Sequence, residues 1–346
     1  MISKVIAQDK ISKVEDLLDK HEKVVIVTHV SPDGDAVGSS LGLFHYLNDS
    51  GYEVTVIVPN DFPDFLRWLK GAKDILNAEK YPDYAEKLIS EADLIFCLDF
   101  NVLKRINQLG DMVGESKAKK VLVDHHPYPD DFCDVTISYP EISSTSELIF
   151  RLICRMGDFD EISISGAEAI YTGMMTDTGA FTYNSNNAEI YYIIGELLKK
   201  GINKDQIYSN VYHNYSADRF RMLGFMLCEK MKIFTGYNAA LIWLSKEEQS
   251  RFHAKKGDTE GFSNIPLSID GISFSAFFRE DNDMIKISFR SSGDFPCNTF
   301  ASQYFGGGGH LNASGGEFFG PLDKALEIFE KALPEFSNNL KQQKDK

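Results

Sequence analysis

The chain has 346 residues, which at about 150 per domain suggests two domains. Its 43% hydrophobic and 25% charged residues are those of an ordinary globular protein with a sizeable core. With 36 Lys and Arg against 51 Asp and Glu, the net charge of −15 argues against binding long duplex nucleic acid through a broad basic surface, but not against a small anion at one local site.

The first segment, MISKVIAQDKISKVEDLLDK, lacks the continuous apolar core of a signal peptide, and no stretch approaches the ~18 apolar residues of a membrane span. The five cysteines, Cys97, Cys133, Cys154, Cys228 and Cys297, are scattered and odd in number, which points to a reducing, cytoplasmic setting. Val24–His29, Glu53–Val58, Ala92–Leu98 and Lys120–Val123 read as short apolar strands, with a helix over Ala36–Asn48 after the first. Such near-continuous apolar runs mark strands buried on both faces, as in a doubly wound, mainly parallel α/β sheet. Ser144-x-x-Glu147 reads as a capping box opening a helix to about Met156, and Ala188–Lys200 as a helix ending at Gly201. The polar stretch from Asn203 to Arg219 reads as a connection. Beyond it, Tyr237–Leu244, Gly271–Arg279 and Met284–Arg290 read as strands, the last two forming a hairpin about Asp281–Asp283. Helices over Asn298–Tyr304 and Leu322–Leu333 flank a glycine run and complete a smaller α+β domain, and the tail NNLKQQKDK is expected to fray. The expected divisions are 1–200, a connection at 201–219, and 220–340.

Four segments of the first domain place acids or histidines after an apolar strand or in a polar turn: His29-Val-Ser-Pro-Asp33-Gly-Asp35, Cys97-Leu-Asp99, Asp124-His125-His126, and Thr176-Asp177-Thr178-Gly179. Singly, an Asp-Gly-Asp is a turn and an Asp ending a strand is a helix cap. Jointly they point to one crevice, because loops at the carboxyl ends of parallel strands converge. Asp33, Asp35, Asp99 and Asp177 cannot all stay ionised together without cations, and two divalent ions balance them. Imidazole and carboxylate donors suit Mn²⁺, with Mg²⁺, Co²⁺ or Fe²⁺ as substitutes, and a metal pair is a common device for phosphate-ester hydrolysis.

These motifs resemble the DHH phosphoesterase superfamily: HVSPDGDAVGSS, CLDF, Asp124-His125-His126 and GMMTDTGAF stand in its order, and SFRSS and GGGGHLNASGG are similar to its DHHA1 domain. Within it the chain looks most like stand-alone bacterial bifunctional oligoribonucleases (nanoRNases) with pAp phosphatase activity. The resemblance implies that His29, Asp33 and Asp99 hold one metal, and Asp35, Asp99, His125 and Asp177 the other. Asp99 bridges, His126 faces the scissile phosphate, and Asp124 orients a histidine. In the DHHA1 part it implies that Gly307, Gly308, Gly309, His310, Arg290 and Ser314 bind the substrate's other end, with Ser314 and Asn298 also supporting the loop. Arg279 reads as a surface residue, and Ser144 and Thr145 as either a simple cap or a helix N-terminus presented to the site.

The expected function is Mn-dependent hydrolysis of RNA di- to pentanucleotides to 5′-mononucleotides, or removal of the 3′-phosphate of pAp, in a cleft between the domains. No membrane partner is expected, and a homodimer is allowed for. The alternatives are a cyclic or linear dinucleotide phosphodiesterase and, with less support, an exopolyphosphatase or pyrophosphatase, or a non-catalytic nucleotide sensor. Against a family II pyrophosphatase, SFRSS carries one Arg in place of a basic cluster.

Overall fold

The structure, a computed structural model, describes residues 4–255 and 257–336; the tail expected to fray lies outside them. The chain divides into two compact units, one through Asn214 and one from Tyr215.

The first unit runs α1 (Gln8–Leu18), β1 (Lys23–Thr28), α2 (Gly34–Asp49), β2 (Glu53–Val58), β3 (Leu76–Asn77), α3 (Pro82–Glu91), β4 (Leu94–Leu98), α4 (Leu109–Glu115), β5 (Lys119–Asp124) and β6 (Val135–Ser138). Helices α5 (Thr145–Met156), α6 (Ile164–Asp177), α7 (Ala188–Lys199) and α8 (Lys204–Tyr212) follow. The strands form one sheet in the order β3-β2-β1-β4-β5-β6, and every pairing is parallel. Alternate side chains explain the unbroken apolar runs. Val24 and Ile26 pack with α1, α2, α5 and α6, while Val25 and Val27 pack with α3 and α4 on the opposite face. The chain winds outward from β1 in one direction and from β4 in the other. A crevice therefore opens where the carboxyl ends of these two neighbours meet, with Thr28 beside Leu98 in register.

Two local expectations are corrected. Ser144 caps α5 by accepting from the Glu147 N–H, but the Glu147 carboxylate reaches Ser143 rather than the Ser144 N–H, so the box is only half formed. The stretch expected to be a polar connection contains α8, whose Ile207 and Val211 are buried in the first core. Its polar residues lie on one face of a helix, and two apolar positions one turn apart suffice to dock it.

The second unit comprises α9 (Ala217–Glu229), β7 (Met231–Phe234), β8 (Ala239–Leu244), α10 (Lys246–Arg251), β9 (Phe274–Glu280), β10 (Ile285–Ser291), α11 (Cys297–Phe305), β11 (Gly308–Gly309), β12 (Ala313–Phe318) and α12 (Leu322–Ala332). Its sheet runs β11-β12-β10-β9-β8-β7, with β8 and β9 parallel and the other pairs antiparallel. The expected hairpin is present, closed by the Asp281 N–H donating to Met284 O at 2.8 Å. Phe274, Phe278, Phe289, Phe300, Phe305 and Phe329 fill the core between sheet and helices. These phenylalanines are packing residues, with no face left for stacking on a base. Among the described residues, no helix is long and apolar enough to cross a membrane.

Helices α2 and α6 meet backbone to backbone. A Cβ added at Gly38 would stand 2.6 Å from Ala169 O and 2.7 Å from Gly173 N. Gly38→Ala should therefore lower the unfolding free energy by about 1–3 kcal/mol through overpacking, despite alanine's better helix propensity. At Gly195 on α7 nothing lies within 4 Å, so Gly195→Ala should instead stabilise, by up to ~1 kcal/mol. Urea unfolding of the two variants checks the opposite signs.

Candidate metal centre

The site is assembled at the carboxyl end of the first sheet. His29 follows β1, and Asp99 follows β4 with a left-handed φ of 63°. Asp33 is the N-cap of α2: its Oδ1 accepts from the N–H of Asp35 at 3.0 Å and of Ala36 at 3.1 Å. Asp35, in the first turn, is aimed inward and buried. Asp124 ends β5, placing His125 and His126 just beyond it.

His29 Nε2 lies 3.4 Å from Asp99 Oδ2 and 3.8 Å from Asp33 Oδ1. His125 Nε2 lies 3.5 Å from Asp99 Oδ1, 3.7 Å from Asp177 Oδ2 and 4.0 Å from Asp35 Oδ2. In each of two groups, His29–Asp33–Asp99 and Asp35–His125–Asp177, one donor atom per residue falls within 4.8 Å of the others. The two oxygens of Asp99 thus face different histidines. His126 Nδ1 sits 2.8 Å from Asp124 Oδ1, while Asp124 Oδ2 is buried and unpartnered. The far nitrogens of the other two histidines are also fixed: His29 Nδ1 against Val30 O at 2.9 Å, His125 Nδ1 against Ile142 O at 3.3 Å.

The electrostatics show the charge imbalance. Burial, with the charges of Asp99 and Asp177, holds the Asp35 carboxyl well above its usual range. Burial opposes the charged form of His125, but Asp177, Asp99 and Asp35 outweigh it and raise it to about 9. His29 is raised too: burial is overcome by its hydrogen bond to Asp99 and the charges of Asp33 and Asp99. Asp99 is held far below the carboxylate range, its burial outweighed by the His29 hydrogen bond and the charges of the three histidines. Protons thus compensate an excess of buried negative charge, which divalent cations compensate equally well. The donors are imidazole nitrogens and carboxylate oxygens with no thiolate, the set expected for Mn²⁺ or a similar ion.

In the second unit, Arg290 on β10 pairs with Ala313 on β12, and the His310 N–H donates to Ala313 O at 2.8 Å, so the two basic residues lie at one end of the sheet. The glycines have a packing reason. A Cβ at Gly307 would stand 1.8 Å from Gly315 O, and Gly309 has φ 138° with Ala313 O 2.7 Å away from any added Cβ. The Gly307 and His310 N–H groups are bonded within the fold, to Ala301 O and Ala313 O. Gly308 is exposed with open space around it. Ser314 is buried and donates to Cys297 Sγ at 3.2 Å. Arg279 is half-buried: it forms a fork with Asp281 at 2.8 and 2.9 Å and donates to Thr259 Oγ1 at 2.9 Å.

Residues 23–174 match the DHH family, N-terminal domain, and residues 241–342 match the DHHA1 domain. A Thermus thermophilus protein named bifunctional oligoribonuclease and PAP phosphatase NrnA is 30% identical over 90% of this chain and 89% of its own. The chain belongs to the DHH family. A Listeria monocytogenes cyclic-di-AMP phosphodiesterase, PdeA, is 26% identical over 86% of this chain but 45% of its own. The crystal structure of an exopolyphosphatase-related protein from Bacteroides fragilis superposes with a TM-score of 0.95 at 60% identity, covering 98% of this chain and all of that one.

This DHH-family chain departs from the sequence reading at Asp177, which stands neither after a strand nor in a turn. It is the last residue of α6, where a carboxylate meets the negative end of the helix dipole. Other contributors escaped the motifs. The Thr145 and Ser146 N–H groups donate to Asp35 Oδ2 and Oδ1 at 2.7 and 2.8 Å, so Ser144 caps α5 while its next two residues serve the site. Arg105 acts on His29 by charge, and its carbonyl accepts from Val30 N–H at 2.8 Å. Ser31, Tyr128, Ala180 and Phe181 adopt left-handed φ in the surrounding loops, and no glycine marks these positions in the sequence. Asp99→Asn, which touches both histidine–carboxylate groups, is expected to weaken divalent-metal binding more than Asp33→Asn, which touches one; calorimetric titration of metal-free protein reads the difference.

Proposed function

We propose that this protein is a two-metal phosphohydrolase acting on short oligonucleotides, releasing 5′-mononucleotides, and on the 3′-phosphate of pAp. The observation that carries the reading is the carboxylate of Asp99 standing between two histidine–carboxylate groups. His29, Asp33 and Asp99 would hold one ion, and Asp35, Asp99, His125 and Asp177 the other. Bound there, a Mn²⁺ pair supplies a nucleophile at neutral pH and neutralises charge on the phosphate oxygens.

The chain's own residues do the rest. Asp124 fixes the His126 ring through Nδ1, so Nε2 is the nitrogen that meets the scissile phosphate and handles a proton. Arg290 and His310 take the substrate's second phosphate or its terminal base, Arg290 through its guanidinium fork. The net charge of −15 fits a small substrate better than an extended polyanion. A cytoplasmic location follows from that substrate class. The PdeA relative favours dinucleotide phosphodiesterase activity as the second reading.

A Mn²⁺-dependent hydrolysis panel of pAp, pGpG, RNA of two to ten nucleotides, cyclic di-AMP and pyrophosphate tests this. Turnover should fall steeply with RNA length and be lost in the Asp124→Ala/His125→Ala variant. His310→Ala should raise KM for dinucleotides by about tenfold, the loss of roughly one charge-assisted hydrogen bond. Preferred turnover of cyclic di-AMP or pyrophosphate would move the substrate assignment. No turnover of any member, with two Mn²⁺ bound, would overturn the enzyme reading.

A further inference from the structure

The N-terminus of α5 does more than begin a helix. Thr145 is fully buried, and its Oγ1 donates to Asp99 Oδ1 at 3.0 Å. That same oxygen lies 3.5 Å from His125 Nε2 and 3.6 Å from His126 Nδ1, while Asp99 Oδ2 faces His29. A carboxylate on one χ2 torsion turns freely unless something holds it. With Oδ1 tied to Thr145, rotation is arrested with one oxygen toward each histidine group. The backbone of the same turn fixes Asp35 by its two N–H bonds, one to each oxygen.

This turn is braced from beneath. Glu147 Oε2 accepts from Ser143 Oγ at 2.5 Å and from the Ser143 N–H at 3.2 Å. Its other oxygen accepts two bonds from Arg151, at 2.8 and 2.7 Å, and Arg151 also reaches Glu189 on α7 at 2.8 Å. Glu147 and Arg151 are both almost fully buried, 1% and 2% exposed. Simple capping would not require the pair, since Ser144 Oγ alone caps the helix. Two buried charges are costly unless fully bonded, and here they are bonded to the segment that holds the acids.

We propose that Thr145 is a positioning residue for the metal centre: its hydroxyl orients the Asp99 carboxylate so that both oxygens serve as ligands, with Glu147 and Arg151 holding Thr145 in place. The inference rests on the two-metal reading. Partners of metal ligands typically contribute about 10–100-fold in metal affinity.

The test is calorimetric titration of metal-free wild type, Thr145→Val and Thr145→Ser with MnCl₂, alongside thermal melting of each. Thr145→Val keeps the shape and removes the donor; Thr145→Ala replaces it if the valine protein fails to fold. The expected result is a loss of Mn²⁺ affinity of about 10–100-fold in the valine or alanine protein, restored by serine. The Mn²⁺ concentration for half-maximal hydrolysis should move with it, while KM for substrate at saturating Mn²⁺ does not. Wild-type affinity and stoichiometry in folded Thr145→Val would overturn the proposal and leave the two-metal reading standing. Absence of Mn²⁺ binding by wild type itself would overturn both.

Discussion

Everything at the site turns on charge that folding gathers faster than it can neutralise. Asp35, Asp99 and Asp124 are each at most 2% exposed, Asp33 and Asp177 stand beside them, and the nearest counter-charges are imidazoles. Such a group of carboxylates is tenable only if something positive occupies the space between them. The parallel sheet, the winding reversal between β1 and β4, and the contact between α2 and α6 all bring acids together, and each works against electrostatics in doing so. A phosphoester-cleaving centre needs that concentrated field, so the cost in folding and the capacity for chemistry have one origin.

The second unit has a different physical character. Its core is built from stacked and edge-on phenylalanines, with Phe274 and Phe295 centroids 4.3 Å apart, and its glycines admit close strand approach. That rigidity suits a platform presenting Arg290 and His310, and it explains why the glycine run carries structure as well as any ligand. The division of labour is between a first unit whose apolar core gathers buried charge at the carboxyl end of its sheet and a second unit with an aromatic core.

Much of this was legible in the sequence because the strands announce themselves. VVIVT and LIFCL are apolar on both faces, which only a covered parallel sheet requires, and that sheet dictates where the following acids converge. Asp177 was found by motif while its setting was misjudged: the GMMTDTG segment carries no signal separating a helix end from a strand end. The strands β3 and β6 escaped because two and four residues are too few for periodicity. Helix α8 was masked by its polar composition. At Ser144 and Thr145 the sequence left a simple cap and a helix N-terminus presented to the site both open; the bond from the Thr145 hydroxyl to Asp99 has no signal in the sequence, because only three-dimensional proximity supplies that partner.

The placement of Asp177 at the end of α6 has a consequence for the life of the chain before it meets substrate. A carboxylate there opposes the helix dipole and adds to the charge around His125, so completing this end of the helix is favoured when a cation or a proton is at hand. A divalent ion bound at this centre would therefore stabilise the folded first unit by linkage, in addition to any chemistry it supplies.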